Sequence, residues 1–401
     1  EPQCGTDLGL TKTSAVLQND GTYKITGNKI FISSGEHDLT ENIIHLVLAR
    51  ISDSPTGTKG LSMFIVPKYI VDEQGNLLSR NNLKCMNVEK KMGIHGNATC
   101  EILYDDAQGF LIGEKNKGLN SMFVMMNIAR LQTGMQGLAI SELARQKAVD
   151  YSRFRRQGRE RSGGDGSIPI INHADVKRIL AGISAFTEGA RAVALWTAFL
   201  MDLEEENFES MTTFEARRLV GFLTPIIKAY FTDNAFVKAS DALQCFGGYG
   251  YIKEYEIEQL LRDVRVAMIY EGTNSIQAMD LVFRKVLLDN GESIALINRL
   301  IKNLANDGYL VENRKIFDSL CLALTHLNEA TTWLKLKSAQ SEMKLVESAA
   351  VYFLRLCGHV VFGYIWLRAM IAASKLDTVD EKNNRFAKKK LATGEFFFYQ
   401  I

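Results

Sequence analysis

The chemistry of this 401-residue chain is concentrated in three short segments. The most informative runs from Leu261 to Gln277 and reads LRDVRVAMIYEGTNSIQ. Glu271 follows the apolar Ala267, Met268 and Ile269. Apolar neighbours desolvate a carboxylate, and a desolvated carboxylate is a stronger base near neutral pH. Thr273 is placed to cap a following helix, whose first amides could hold an anion. On local pattern alone, a solvated or capping carboxylate is the plainer reading of Glu271. The second segment, Gln244 to Tyr251, reads QCFGGYGY. Gly247, Gly248 and Gly250 let the backbone turn sharply and approach a ligand. A helix-terminating turn explains them equally well, and they do not form the G-x-G-x-x-G dinucleotide pattern. The third, Glu1 to Gly9, reads EPQCGTDLG. Its glycines, the Thr6 hydroxyl and the backbone amides could line a pyrophosphate, although a β-turn is the simpler alternative.

These segments need a scaffold, and the chain changes character near residue 117. Before it, short apolar runs such as Lys29 to Ile32, Ile43 to Ala49 and Leu61 to Val66 alternate with turns at Asn19 to Gly21, Thr26 to Asn28 and Asp72 to Gly75. That spacing predicts an all-β barrel or sandwich. After it the period is helical: Met122, Met125, Met126, Ala129 and Leu131 start one stripe, and Ile179, Ile183, Phe186, Ala190 and Val193 form another. A third helix is predicted over Pro225 to Cys245. Gly158 to Ser167 reads as a polar loop between helices. The tail from 286 reads as entirely helical, with breaks at Asn303 to Gly308 and Lys375 to Arg385. The predicted fold is α+β and multidomain. It has a β-barrel-like domain (1–116), a helical bundle (117–285) and an additional helical domain (286–401). The order lacks the β-α alternation of a doubly wound sheet.

Bulk properties narrow the function. With 47 basic and 46 acidic residues, the net charge of +1 argues against a general electrostatic nucleic-acid binder. The six cysteines and six histidines are scattered without metal-ligand spacing, so neither a metal site nor a disulfide framework is expected. Val351 to Ala373 is the most apolar stretch, but Arg355, His359 and Arg368 interrupt it, which favours a buried helix over a membrane span. The chain opens without Met or a signal-peptide pattern and stops inside the apolar Phe396 to Ile401 run, so it reads as cut from a longer protein.

Taken in order, the three segments resemble the acyl-CoA dehydrogenase family over about residues 1–285. Glu1 to Asp7 resembles its T-E-P-x-x-G-[ST]-D signature without the leading Thr. Thr26 to Gly35 (TGNKIFISSG) resembles its N-G-x-K-x-[WF]-I-[ST]-[NS]-[GA] strand. Gly118 to Arg130 and Gly134 to Ala144 resemble the helix that opens its C-terminal domain, and Pro169 to Val176 a segment beyond its flavin-contacting loop. Gln244 to Tyr251 and Arg262 to Gln277 resemble Q-x-x-G-G-x-G and R-D-x-x-x-x-x-x-Y-E-G-T-x-x-I-Q. The family's N-terminal helical domain has no counterpart here. The long tail resembles the large bacterial-type branch, which includes enzymes of ordinary fatty acyl-CoAs and others similar to methylmercaptopropionyl-CoA dehydrogenase.

The resemblance implies FAD and α,β-dehydrogenation of an acyl-CoA thioester to the trans-2-enoyl-CoA. Glu271 would take the α-proton, and the β-hydrogen would leave as hydride to flavin N5. The Glu271 amide and a flavin ribityl hydroxyl would polarise the thioester carbonyl. It also implies that Gly5 and Thr6 approach the flavin pyrophosphate or the CoA arm. Phe31 and Ser33 would lie beside the flavin ring, Phe31 standing where many members have Trp. Gln244, Gly247 and Gly248 would contact the FAD of a neighbouring subunit, and Thr273 and Asn274 the FAD near Glu271. Tyr270 and Gly272 would flank the substrate. Arg130 matches a position that touches CoA or holds the catalytic loop; Asn127 lies one turn earlier, where members often have Asp. The family's R-x-T-F-G loop departs here to Arg153 to Arg159, with Arg155 the choice for the FAD contact and Arg156 and Arg159 as alternatives. Val124, Met125, Ile128 and Gly134 are candidates for an acyl cavity, or plain core. Expected partners are acyl-CoA, an electron-transfer flavoprotein and a second copy of the chain, most simply in a homodimer. The expected compartment is a bacterial cytoplasm, or the mitochondrial matrix in a eukaryote. An oxygen-using acyl-CoA oxidase and a non-catalytic scaffold with the same fold are the competing readings.

Overall fold

The computed structural model describes residues 1–160, 166–205, 212–376 and 379–400. Parts of the predicted Gly158 to Ser167 loop (161–165) and of the predicted Lys375 to Arg385 break (377–378), together with Ile401, lie outside the described residues. The chain forms two compact units, Glu1–Ala129 and Arg130–Ile401.

The first unit holds eight strands: β1 (Ser14–Leu17), β2 (Tyr23–Ser33), β3 (Ile44–Ile51), β4 (Leu61–Pro67), β5 (Tyr69–Val71), β6 (Leu77–Arg80), β7 (Leu83–Val88) and β8 (Thr99–Ile112). In the main sheet the order is β2-β1-β3-β4-β8-β7, and β2 also pairs with β8. That extra pairing closes β2, β1, β3, β4 and β8 into a ring, with β7 attached to β8. The β1–β3 pair is parallel and the other pairs are antiparallel. Period-2 patterning sets the inside. Tyr23 and Ile25 of β2 point inward, while Lys24 and Thr26 face out. With Ala15, Val47, Phe64, Ile102 and Tyr104 they form the barrel core. Fully burying side chains such as Phe64 and Ile102 stabilises by roughly 1.5–3 kcal/mol each.

Helix α1 (Gly118–Phe154) begins in the first unit, and its residues from Arg130 belong to the second. The second unit continues with α2 (Ala174–Glu205), α3 (Thr213–Cys245), α4 (Ile257–Val264) and α5 (Asn274–Val282). A π-helical turn (Phe283–Leu287) follows, then α6 (Glu292–Lys302), α7 (Gly308–Glu312), α8 (Arg314–Ala339), α9 (Met343–Ser374) and α10 (Glu381–Gln400). One hydrophobic cluster joins α2, α3, α5 and the tail helices through Phe186, Phe231, Leu281, Leu327, Phe362 and Trp366. The tail from 286 therefore shares its core with the bundle.

Two local expectations are corrected, and one open alternative is resolved. Pro225 does not open α3. The helix starts at Thr213, where the Thr212 hydroxyl accepts from Glu215 N at 3.2 Å, and Pro225 sits in its interior. Its missing N–H would have faced the carbonyl of Gly221, four residues back. The tail also breaks at Gln340 to Glu342, between α8 and α9, where Ser341 takes a left-handed φ of 61°. No glycine announces this break. Gly134 takes the plain-core alternative: a Cβ there would lie 2.4 Å from Ile227 Cγ2, so it is a close-approach point of α1 and α3.

By length and composition α9 could cross a bilayer, but most of its apolar residues are core. Each interrupting charge is accommodated. Arg355 faces Asp233 at 3.9 Å, His359 Nδ1 lies 3.0 Å from the Tyr230 hydroxyl, and Arg368 lies over Tyr364.

Candidate active site

Glu271 stands in a short loop between α4 and α5. A 3-10 turn (Arg265–Met268) follows α4, and Ile269 to Thr273 then lead into α5. Glu271 has φ 56° and Gly272 φ 81°. The left-handed state costs a residue with a Cβ roughly 1–2 kcal/mol, so the loop needs external support.

That support comes from side chains on three helices. Gln277, fully buried on α5, donates from Nε2 to the Glu271 carbonyl at 3.0 Å and the Gly272 carbonyl at 3.4 Å. The Tyr270 hydroxyl donates to Gln136 Oε1 on α1. Burial, then the Glu271 carboxylate, pushes the Tyr270 phenol above its usual range. Asn274, the first residue of α5, is turned against α3. Its Nδ2 donates to Asp233 Oδ1 at 2.6 Å and Thr232 Oγ1 at 3.0 Å, and its Oδ1 accepts from Lys228 Nζ at 2.9 Å. Thr273 occupies the predicted N-cap position, but its hydroxyl pairs with the Ser275 hydroxyl at 2.9 Å instead of capping the helix. Arg130 is 6% exposed and reaches Asp280 of α5 at 3.4 Å; Arg284 reaches the same carboxylate at 3.4 Å. Of the two roles implied for Arg130, this placement supports holding the loop. Asn127, one turn before it, is exposed.

A second cluster surrounds the glycine turn after α3. Arg155, Gln244, Gly247 and Gly248 line one cavity of about 530 Å³, with Tyr151 and Tyr249. Tyr151 stacks on Phe246 with centroids 4.2 Å apart, and Tyr255 packs edge-on to both rings. The turn sits on this aromatic base. Gly247 has φ 58°, and nothing lies within 4 Å of a Cβ built at Gly247 or Gly248. Bare backbone is therefore open to a ligand, which is the property a dinucleotide cradle requires. Arg155 Cζ lies 5.6 Å from the Tyr249 ring centroid, whereas Arg156 is tied to the Ser167 carbonyl. The fit to FAD rests on this open cradle and its donor set.

In the barrel unit, Gly5, Thr6 and Ser33 are exposed. Phe31 is 67% exposed at φ 58°, beside a register shift between Lys29 and Ile32 where β2 pairs with β8. The bulge turns an aromatic ring out of the strand, a strained placement typical of functional positions. Glu1 anchors the first segment. Its carboxylate accepts from Lys12 N, Thr13 N, the Thr13 hydroxyl and Lys29 Nζ at 2.6–3.2 Å. Burial works against ionisation, but these donors hold its carboxyl down at about 2. Val124, Met125 and Ile128 form an exposed apolar stripe near the start of α1.

Gln136, Lys228, Asp233, Gln277 and Asp280 are absent from the sequence-derived site. The available signals were a lone lysine inside the apolar PIIKAYF run of α3 and a glutamine one turn beyond Thr273.

The chain matches three family descriptions: "Acyl-CoA dehydrogenase, middle domain" over residues 1–107, "Acyl-CoA dehydrogenase, C-terminal domain" over 116–286 and "Acetyl-CoA dehydrogenase C-terminal like" over 294–401. It is 41% identical to a 3-methylmercaptopropionyl-CoA dehydrogenase of Ruegeria pomeroyi, over 100% of this chain and 68% of that protein. It is 35% identical to a broad-specificity linear acyl-CoA dehydrogenase of Mycobacterium tuberculosis, over 99% and 68%. A Bacillus anthracis acyl-CoA dehydrogenase complexed with FAD shares the fold at a TM-score of 0.75 and 22% identity, covering 100% of this chain and 65% of that one. The chain thus spans about two thirds of the length of these proteins.

Proposed function

Because this chain belongs to the acyl-CoA dehydrogenase family, we propose that the protein containing it oxidises an acyl-CoA thioester to the trans-2-enoyl-CoA, with Glu271 as the base. The observation that carries the assignment is the support of Glu271 itself. Side chains from α1, α3 and α5 converge to hold one half-buried carboxylate in a left-handed conformation.

In this reading the Glu271 carboxylate takes the α-proton. The Glu271 N–H finds no acceptor among the described residues and is free to donate to the thioester carbonyl as charge develops there. One such donor is worth roughly 3–4 kcal/mol at known oxyanion sites. Tyr270 and Gly272 flank the carboxylate and fix its approach. FAD, the family's cofactor, supplies when bound the acceptor for the β-hydrogen and its electron pair, which leaves a carbon–carbon double bond. Arg155, Gln244, Gly247 and Gly248 are assigned to hold the FAD of a second subunit, which makes a homodimer the functional state. Thr273 and Asn274 are assigned to the FAD beside Glu271, Phe31 and Ser33 to the flavin ring, and Gly5 and Thr6 to its pyrophosphate or to CoA. An electron-transfer flavoprotein is the proposed acceptor, in a bacterial cytoplasm. The three sequence segments, 1–116, 117–285 and 286–401, are proposed as distinct functional parts within the two compact units.

The test is the anaerobic absorbance spectrum of the full-length flavoprotein before and after addition of a short-chain and a long-chain acyl-CoA, in parallel with Glu271→Gln. Bleaching of the long-wavelength flavin band in the native protein, lost in the variant with flavin still bound, is the expected result. Bleaching that survives in Glu271→Gln removes Glu271 as the base. A bound flavin that no acyl-CoA bleaches removes the substrate class.

A further inference from the structure

Lys228 is fully buried in the middle of α3. A buried ammonium is costly unless it is bonded or does something there. Its bonded partner is neutral, the Asn274 carbonyl oxygen at 2.9 Å. Asn274 is three residues beyond Glu271, and its amide nitrogen donates to Asp233. Lys228 and Asp233 therefore grip the two ends of one amide, and that amide fixes where the Glu271 loop enters α5. Burial pulls the Lys228 ammonium down to about 8; the Asp233 and Glu271 carboxylates act against this fall, and the Arg130 guanidinium adds to it.

We propose that Lys228 is a positioning residue for the dehydrogenation, whose buried charge clamps the Glu271 loop through Asn274. The inference rests on Glu271 being the base.

The charged and titratable groups around Lys228 come from every packed element. Arg130 lies on α1, held by Asp280 of α5. Asp233 is on α3 itself and faces Arg355 of α9 at 3.9 Å. Glu271 and Tyr270 come from the loop. Farther along the α3–α9 contact, Tyr230 meets His359. With Lys228 charged, Glu271 shares its surroundings with two buried cations. With Lys228 neutral, only Arg130 remains, and Asn274 loses an ionic donor.

The experiment is the pH dependence of anaerobic bleaching by acyl-CoA in the flavoprotein, for wild type, Lys228→Met, Asp233→Asn and Glu271→Gln. Wild type is expected to show a limb near pH 8 that is absent in Lys228→Met. The maximal rate of that variant should fall roughly tenfold while KM changes less, as expected for a residue acting through the base. Asp233→Asn keeps an oxygen for the Asn274 amide but removes the charge, and should move the limb near pH 8 downward. A second readout is independent of turnover. In side-chain NMR of isotope-labelled lysine, one signal missing from Lys228→Met should titrate near pH 8, while exposed lysines titrate at about 10.4. If Lys228→Met fails to keep flavin, Asp233→Asn and the NMR titration decide. An unchanged pH profile in Asp233→Asn, or no lysine signal titrating near 8, overturns the proposal. Loss of bleaching in Glu271→Gln with unchanged profiles in the other variants rejects this inference alone, whereas bleaching that survives in Glu271→Gln rejects the functional reading beneath it.

Discussion

Two loops of the helical unit reach the same backbone state by opposite means. The turn after α3 uses Gly247 at φ 58°, and the loop before α5 uses Glu271 at φ 56° followed by Gly272 at φ 81°. Around Gly247 and Gly248 there is open space, with an aromatic base of Tyr151, Phe246 and Tyr255 and no side chain within 4 Å of a built Cβ. Around Glu271, by contrast, Gln277, Gln136 and the Lys228–Asn274–Asp233 trio hold the loop by hydrogen bonds at separate points. The difference matches what the proposed role of each loop would require. A cradle for a large anion offers backbone N–H groups and must keep side chains away. A proton acceptor must hold one side chain within about 0.5 Å of its working position, and only surrounding side chains supply that precision.

The largest expected effect breaks the comparison at its centre. Glu271→Gln keeps the shape of the loop and removes the proposed base, so the rate of flavin bleaching by acyl-CoA should fall by roughly 10²–10⁴-fold with flavin content unchanged. Stopped-flow absorbance of equal flavin concentrations measures it. A variant that loses flavin in proportion to its rate would show that Glu271 serves the cofactor instead.

The same substitution in both loops sharpens the contrast. Gly272→Ala places a Cβ 2.8 Å from Gln277 Nε2 at φ 81°, so the side chain that holds the Glu271 carbonyl must move. Gly247→Ala meets open space and adds only the left-handed strain, about 1–2 kcal/mol. Gly272→Ala should therefore lower the bleaching rate, by tenfold or more on the order of its strain energy, and retain flavin. Gly247→Ala should retain the rate per bound flavin and weaken flavin binding by roughly tenfold. Flavin content after gel filtration and single-turnover rates separate the two; a rate loss in Gly247→Ala at full flavin occupancy would erase the distinction between the loops.

The sequence showed one loop better than the other, for a physical reason. Gly247, Gly248 and Gly272 announce themselves, because left-handed backbone and close approach select residue types locally, whereas Glu271 stood out only through the longer motif around it. The bond between Thr273 and Ser275 is local too, yet a hydroxyl at an N-cap position looks the same whether or not it caps. The residues that support Glu271 come from far along the chain: Gln136 on α1, and Lys228 and Asp233 on α3. Before the fold is known, nothing distinguishes Lys228 from a lysine that reaches out of an apolar helix, or Gln136 from a surface residue. The barrel was legible because alternation along β2 shows directly which face is inside. Its ring closure through β2–β8 was not, since pairing between strands about 80 residues apart leaves no local mark.

Gln277 offers a smaller test of the same network. Gln277→Leu leaves the Glu271 and Gly272 carbonyls without their buried donor, at a cost of about 1–3 kcal/mol. Its own Oε1 is buried without a partner, so part of this cost should be recovered. The expected result is a fall in Tm of a few degrees, at roughly 2–4 °C per kcal/mol for a unit of this size, with a loss of bleaching rate and no loss of flavin. An unchanged rate would mean that Tyr270 and Asn274 hold the loop without it.

The smallest expected effect lies on the open loop and concerns which arginine serves it. Arg155 lies over Tyr249 at 5.6 Å and lines the glycine cavity, whereas Arg156 is turned back to the Ser167 carbonyl. A cation over an exposed aromatic ring is worth about 0.5–1 kcal/mol, so Arg155→Ala should loosen the turn only slightly on its own account. Its larger consequence should appear as a several-fold weaker retention of FAD, largest at low ionic strength and shrinking as salt screens the charges, because a lost guanidinium no longer attracts a pyrophosphate. Arg156→Ala should leave retention unchanged and loosen the connection to Ser167. If the two variants exchange these outcomes, the cradle is completed by Arg156, and the bond to Ser167 is a resting position that the cofactor displaces. If neither variant affects retention, the bare backbone of Gly247 and Gly248 holds the anion without a side chain, which is the limiting form of the contrast with the Glu271 loop.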